Sequence, residues 1–346
     1  MKDKRINIQR VITILFGCLV CVSFILNAAS ENPPPLTPPT KVSLHQTSQS
    51  SALHFDEEKA FKELTELVKR GQRYYGAPMR DEAVQWLVDR LKDLNAKVSL
   101  QSLQKVEPKS QVSFKLTNII GRLHPERPLR VILGTHWDTR LWAEEDQAVG
   151  ERHLPITGAN DGSSGIAVLL EVARQLEQLN LTNIGVDLVF FDGEEFGRPG
   201  SNDYCAGSRY FAKELKQYFK IEPPIGVVVI DMVGDKNLSF PPEKSSVHHA
   251  RSLTRLVWSE GVRLKLPAFI NGLGGGPVKP KSLWIVDDHS PFQKLGIPST
   301  LIIDLDYAHW HTHQDTMDKI SAQSLKQTGL ALLATLKKMD EAESTK

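Results

Sequence analysis

Val186-Asp187-Leu188-Val189-Phe190-Phe191-Asp192-Gly193-Glu194-Glu195-Phe196-Gly197 carries an apolar strand straight into two adjacent carboxylates. Neighbouring side chains at a strand end splay in different directions. One carboxylate can therefore hold a metal ion while the other faces a substrate as a proton carrier. A solvated acidic turn would have the same local sequence, so the rest of the chain decides between the two readings.

Outward from this stretch, apolar runs recur at Val131 to Gly134, Gly226 to Ile230 and Thr300 to Ile303. Between them lie helical stripes such as Ile166, Leu169, Leu170, Ala173 and Leu176, on a helix opening at Ser163. Continuous apolar strands alternating with helices predict an α/β fold whose central sheet is covered on both faces. Upstream, Ala60, Phe61, Leu64, Leu67 and Val68 mark a helix within 55–71, and Ala83, Trp86, Leu87 and Leu91 mark another over 80–95. Two antiparallel strands are expected near 97–103 and 112–121, and a closing helix over about 321–339. No internal repeat and no second boundary interrupts residues 54–346, which are read as one catalytic domain.

The chain has 346 residues, 40% hydrophobic and 24% charged, which excludes wholesale disorder. Its formal net charge is +1, with no basic run, so nucleic acid is not an expected partner. Of three cysteines, Cys18 and Cys21 lie in an N-terminal apolar run and Cys205 stands alone in the body, which leaves neither an internal disulfide nor a thiolate zinc site there. Lys2, Lys4, Arg5 and Arg10 precede that run, Val11 to Leu26, and Ala28-Ala29-Ser30 follows. Residues 1–30 are therefore expected to be a signal peptide or signal anchor, with membrane attachment through 11–29 in the second case. Export to a periplasm or to the outside follows. Residues 31–53, rich in Pro and then Ser, Gln and Thr, read as a linker.

In a covered parallel sheet, ligands gather beyond the carboxyl ends of the strands. At those ends stand His136 and Asp138, Glu194 and Glu195, Asp231, and Asp304, Asp306, Trp310 and His311. Asp161 opens a helix, and Asp287-Asp288-His289 precedes Ser290-Pro291-Phe292. Two histidines and three carboxylates without thiolates suit Zn2+. Asp138, two residues beyond His136, reads either as an orienter of the imidazole or as a turn aspartate.

GTHWDTR (134–140), GANDGSSG (158–165), FFDGEEFG (190–197), YCAGSRYFA (204–212), VIDMVGD (229–235), DDHSPF (287–292) and WHT (310–312) together resemble the zinc aminopeptidase superfamily and, within it, the glutaminyl cyclases. The extended GTHWDTRLW, the acidic 141–157 loop and the lack of paired cysteines are similar to bacterial-type cyclases. The resemblance implies a three-layer α/β fold with a mixed, mostly parallel sheet. It also implies a zinc held by Asp161, Glu195 and His311, with Glu194 as proton carrier and Asp231 and Asp287 in a hydrogen-bonded network beside it.

The superfamily's aminopeptidases hold two zincs, and all five of their ligand positions are present: His136 and Asp231 on one ion, Glu195 and His311 on the other, Asp161 between. Peptide hydrolysis needs a hydroxide made from water, for which a second metal is useful. Cyclisation of an N-terminal glutamine carries its own nucleophile, so one metal suffices. Asp287, where the peptidases usually have serine, and Trp310, placed to wall a pocket beside His311, point to the cyclase. The expected activity is conversion of N-terminal glutamine of peptides or proteins to pyroglutamate with loss of ammonia, by a monomer. A dinuclear aminopeptidase and a silent peptide binder are the alternatives. The tryptophan of animal cyclases after the Glu-Glu pair is absent, and Asp306-Tyr307-Ala308-His309 replaces their phenylalanine-bearing segment. Gly272 to Pro277 reads as a loop near the pocket, and His248, His249, His309 and His313 as surface or supporting residues.

Overall fold

The computed structural model describes residues 53–219, 222–269 and 283–345. The apolar leader, all but the last residue of the Pro-rich linker and the Gly272 to Pro277 loop lie outside the described residues. Among the described residues no helix is long and apolar enough to cross a membrane. The elements in order are α1 (Glu57–Val68), α2 (Arg80–Asp93), β1 (Lys97–Val106), β2 (Ser113–Leu123), β3 (Leu129–His136), α3 (Ser164–Leu179), β4 (Ile184–Phe191), α4 (Ala206–Lys213), α5 (Leu215–Tyr218), β5 (Gly226–Asp231), α6 (Lys244–His249), α7 (Arg251–Arg263), α8 (Ser290–Lys294), β6 (Ser299–Ile303) and α9 (Ala322–Glu343).

The strands form one sheet in the order β1-β2-β4-β3-β5-β6. β1 pairs antiparallel with β2, and β2 antiparallel with β4, while β4, β3, β5 and β6 run parallel. The sheet is thus mixed and mostly parallel. Side chains alternate along each strand, and both faces of β3 to β6 are buried. Val186, Leu188 and Phe190 of β4, with Val131 and Leu133 of β3, pack under α1, α2, α3, α7 and α9. Val189 and Phe191, with Ile132, pack under α4, α5 and α8 through Phe211, Leu215 and Phe292. Each such leucine or phenylalanine, removed from water, contributes about 1.5–3 kcal/mol. Three layers result, and the four parallel strands end level on one side: the register sets His136 beside Phe191 and Asp231 beside Ile303.

Local signals explain the element ends. Asp56 caps α1, its carboxylate accepting the Lys59 N–H at 2.9 Å. Asn95 takes the left-handed conformation that stops the second helix before β1. The sequence pattern names the helices at α1, α2, α3 and α9; the structure adds α4 to α8. Four of these have eight residues or fewer, too few turns to show a periodic stripe. α7 is longer, and its stripe of Leu253, Val257 and Trp258 was there to be read.

Candidate metal centre and active site

The residues at the carboxyl edge are held by backbone geometry before any ligand is considered. His136 ends β3, Asp231 ends β5, and Glu194 and Glu195 start a 3-10 turn just beyond β4. Asp161 lies in the turn before α3, whose Gly162 has φ +85°; a Cβ there would sit 2.0 Å from the Asp138 carbonyl oxygen. Only glycine lets the chain pass Asp138 this closely. Asp315 fixes the same turn, accepting the N–H groups of Asn160 and Asp161 at 2.8 and 3.1 Å and the Tyr307 hydroxyl at 2.8 Å. Cys205, Met232 and His311 all have positive φ without being glycine. Each costs about 1–2 kcal/mol, strain that surrounding contacts must offset.

The sheet edge gathers two sets of three donors that share Asp161: His136, Asp161 and Asp231, and Asp161, Glu195 and His311. Within each set the ligand atoms lie within 4.8 Å of one another, and all five residues are buried. His311 Nε2 is 3.0 Å from Glu195 Oε1 and 3.6 Å from Asp161 Oδ2. His136 Nε2 is 3.0 Å from Asp231 Oδ1 and 3.1 Å from Asp161 Oδ1. A tetrahedral zinc with bonds near 2.0–2.2 Å needs ligand separations of roughly 3.3–3.6 Å, close to these values. Asp161 Oδ2 is also buried without a hydrogen-bond donor, as expected of an oxygen built for a cation. The donor chemistry and its spacing therefore fit zinc.

The same crowding sets the charges. Burial, then the Glu195 charge, pushes Asp161 up to about 8. Burial also opposes ionisation of Glu195, but His311 and Arg140 outweigh it and hold its carboxyl well below the usual range. Burial works against a charged His311 too; Glu195 and Glu144 overcome it and raise the imidazole to about 10. His136 is raised well above its ordinary value because Asp231, Asp138 and Asp161 outweigh its burial. The surrounding carboxylates thus favour the charged form of both imidazoles. A ligating imidazole must be neutral, so metal binding displaces those protons.

Glu194 stands beside this centre. Burial first, then Glu195, Asp287 and Asp288, raises its carboxyl well above the usual range. It lines a cavity of about 460 Å³ together with Asp161, Glu195, Asp231, Asp287, Trp310 and His311. Trp310 is 43% exposed and stacks on His311 with ring centroids 3.8 Å apart, so it is a cavity wall and not core. Burial, then the Asp231 charge, pushes Asp287 up to about 6, as two neighbouring carboxylates require.

Asp138 stands beside His136 and helps to raise its imidazole, and it also grips the acidic pair. Its two oxygens accept the N–H groups of Glu194 and Glu195 at 3.2 and 3.1 Å, while His136 Nδ1 lies 3.7 Å away, beyond hydrogen-bond length. Asp138 chiefly aims the acidic pair. His289 turns away from the centre to Ser245 Oγ at 2.9 Å, and Asp306 is exposed. His248 and His249 are exposed as expected, and His313 pairs with Asp146. Sequence reasoning passed over Arg140, Glu144, Cys205 and Asp315. Arg140 and Cys205 stand inside the quoted motifs, but what they touch depends on the fold: Arg140 reaches Glu195, and Cys205 reaches Glu194.

Comparison with known proteins follows the same lines. The model of Peptidase family M28 matches residues 118–336. The glutaminyl-peptide cyclotransferase of Drosophila melanogaster is 26% identical over 255 residues, covering 68% of this chain and 68% of that protein. The structure of Bacteroides thetaiotaomicron glutaminyl cyclase bound to N-acetylhistamine is similar with a TM-score of 0.74 at 30% identity, over 82% of this chain and 98% of that one. A leucine aminopeptidase precursor from Bacteroides thetaiotaomicron VPI-5482 is similar at TM-score 0.75 and 29% identity, over 82% of this chain and 97% of that one.

Proposed function

Since the chain belongs to peptidase family M28, we propose that within it this protein is a glutaminyl-peptide cyclotransferase, forming pyroglutamate from the N-terminal glutamine of peptides or proteins and releasing ammonia. The observation that supports the reading is that Asp287, Asp231 and Glu194 line one cavity, where the Asp231 charge adds to burial in raising the Asp287 carboxyl. Neighbouring carboxylates do not both ionise cheaply, so a network that holds a proton is the natural use of such residues. Asp231 then works within a proton-holding network, leaving Asp161, Glu195 and His311 as a complete site for one ion.

A zinc ion held by those three residues would polarise the γ-carbonyl of the glutamine and favour the ionised form of neighbouring Glu194. Glu194 takes a proton from the attacking α-amine as the bond from nitrogen to the γ-carbon forms. It returns that proton to the amide nitrogen as the old carbon–nitrogen bond breaks, and ammonia leaves. Nucleophile and carbonyl belong to one residue, so holding the side chain folded supplies much of the rate. Ile303, Leu305 and Trp310 give the cavity an apolar wall for the glutamine methylenes. Residues 1–30 as an export signal and residues 54–346 as the catalytic domain complete the proposal.

One observation favours a second reading. His136, Asp161 and Asp231 form a second donor set, the arrangement a dinuclear aminopeptidase would use. Counting zinc per chain, and comparing ammonia release from a Gln-initiated peptide with amine release from a leucyl substrate, separates the two. One zinc with ammonia supports the cyclase; two zincs with hydrolysis alone refute it.

A further inference from the structure

The loop that follows β3 closes a ring of charges around two of the three residues proposed to hold the ion. Arg140 is fully buried and reaches in two directions. Its Nη1 donates to Glu195 Oε2 at 3.0 Å and to the Gly197 carbonyl at 2.6 Å; its Nη2 donates to Glu144 Oε1 at 2.6 Å. Glu144 Oε1 in turn lies 3.0 Å from His311 Nδ1. The next two residues grip the same distant segment: the Glu145 N–H donates to the His311 carbonyl at 3.2 Å, and Asp146 Oδ2 accepts from the His313 N–H at 2.9 Å. Glu144 is therefore held in place from both sides, and it is 167 residues from the histidine it meets.

From this geometry we infer that Glu144 is a positioning residue for the metal centre: it accepts the Nδ1–H of His311, leaving the Nε2 lone pair for the ion, and through Arg140 it locks Glu195 into the same frame. A neutral imidazole has one N–H and one lone pair, and the partner of the N–H decides which nitrogen can ligate. Glu195 has two oxygens, and Arg140 engages Oε2 while Oε1 faces His311. His311 also sits at a left-handed φ of 52°, and its carbonyl accepts the Glu145 N–H of the same loop. The Arg140–Glu144 pair therefore connects ligands from two separate strand ends into one preformed site.

This inference rests on the proposed metal site, but not on which reaction that site performs. The test measures zinc affinity of the full chain by competition with a chromogenic chelator, in wild type, Glu144→Gln, Glu144→Ala and Glu151→Gln. Glu144→Gln keeps the shape and loses the charge; it is expected to bind zinc about 10–100-fold more weakly. Glu144→Ala should bind at least as weakly, and Glu151→Gln, which removes an exposed acid of the same loop, should stay close to wild type. In the zinc-bound chain with 15N-labelled histidine, the wild type should show a downfield, slowly exchanging Nδ1 proton that shifts upfield in Glu144→Gln. Wild-type affinity in Glu144→Gln, or equal losses in Glu144→Gln and Glu151→Gln, overturns the inference. Should Glu144→Ala fail to fold, the near-isosteric Gln variant decides alone. A wild-type chain that binds no zinc would instead remove the metal reading, and this inference with it.

Discussion

The thiol of Cys205 lies 3.3 Å from Oε1 of Glu194, and the Cys205 N–H donates to the Glu194 carbonyl at 2.9 Å. The start of α4 therefore braces the proposed proton carrier by side chain and backbone together. Burial first, then the charges of Glu194, Asp288 and Asp287, raises the thiol well above its ordinary value. A thiol held protonated and out of solvent does not act as a nucleophile. Iodoacetamide treatment followed by peptide mapping should leave Cys205 unmodified in the native chain and modify it in denaturant. Rapid native labelling would contradict this packing.

Glu194→Gln should lower kcat for cyclisation by about 10²–10⁴-fold, the range for losing a general acid–base. Zinc content should be unchanged, because Glu194 is absent from both donor sets. Near-normal turnover with zinc bound would remove Glu194 from the chemistry.

Zinc stoichiometry distinguishes the two donor sets. His311→Ala should lose the bound zinc, while His136→Ala should keep one ion per chain if Asp161, Glu195 and His311 are sufficient. Elemental analysis of the purified variants reads the outcome directly. A wild type with two ions falling to one in His136→Ala would favour the aminopeptidase.

Asp304 gives stability a pH dependence of its own. It is buried with Oδ2 lacking a donor, and burial pushes its carboxyl up to about 7. An unfolded aspartate ionises near pH 4, so between about pH 4 and 7 the folded chain keeps a proton that the unfolded chain releases. This group's contribution to stability therefore falls as pH rises through that window. In Asp304→Asn the loss is absent, so the melting-temperature difference from wild type should be small near pH 4 and favour the variant above pH 7. A difference constant from pH 4 to 8 would show that Asp304 ionises normally.

Gly162→Ala should destabilise the fold by about 2–4 kcal/mol, combining left-handed strain with collision against the Asp138 carbonyl. Asp161 is the adjacent residue, so zinc affinity should fall as well. Thermal melting of the metal-free variant and a zinc titration separate these two effects.

Much of the architecture was readable from the chain alone, because the signals are local. The runs at β3, β4, β5 and β6 are apolar along their length since both faces of the sheet are covered, and the helical stripes mark the layers that cover them. Parallel strands send their carboxyl ends to one side, so residues that follow a strand in sequence must gather in space. That is why His136, Glu194, Glu195, Asp231 and His311 were identifiable as a group before any coordinates. Asp138 was readable as a neighbour of His136, but its hold on Glu194 and Glu195 was not, since those partners are backbone N–H groups, which carry no sequence signature.

The order β4-β3-β5-β6, and with it the identity of each neighbour, is fixed only in three dimensions. Periodicity shows that a strand is buried; it does not show which strand it lies beside. Glu144 looks like one more acid in a surface loop until the fold carries it to His311, and Cys205 like a lone core thiol until α4 sets it against Glu194. Such pairings between distant segments depend on strand order and loop path, which no local pattern encodes. Local pattern puts these residues at the sheet edge, and the packing of the strands and loops selects which of them touch.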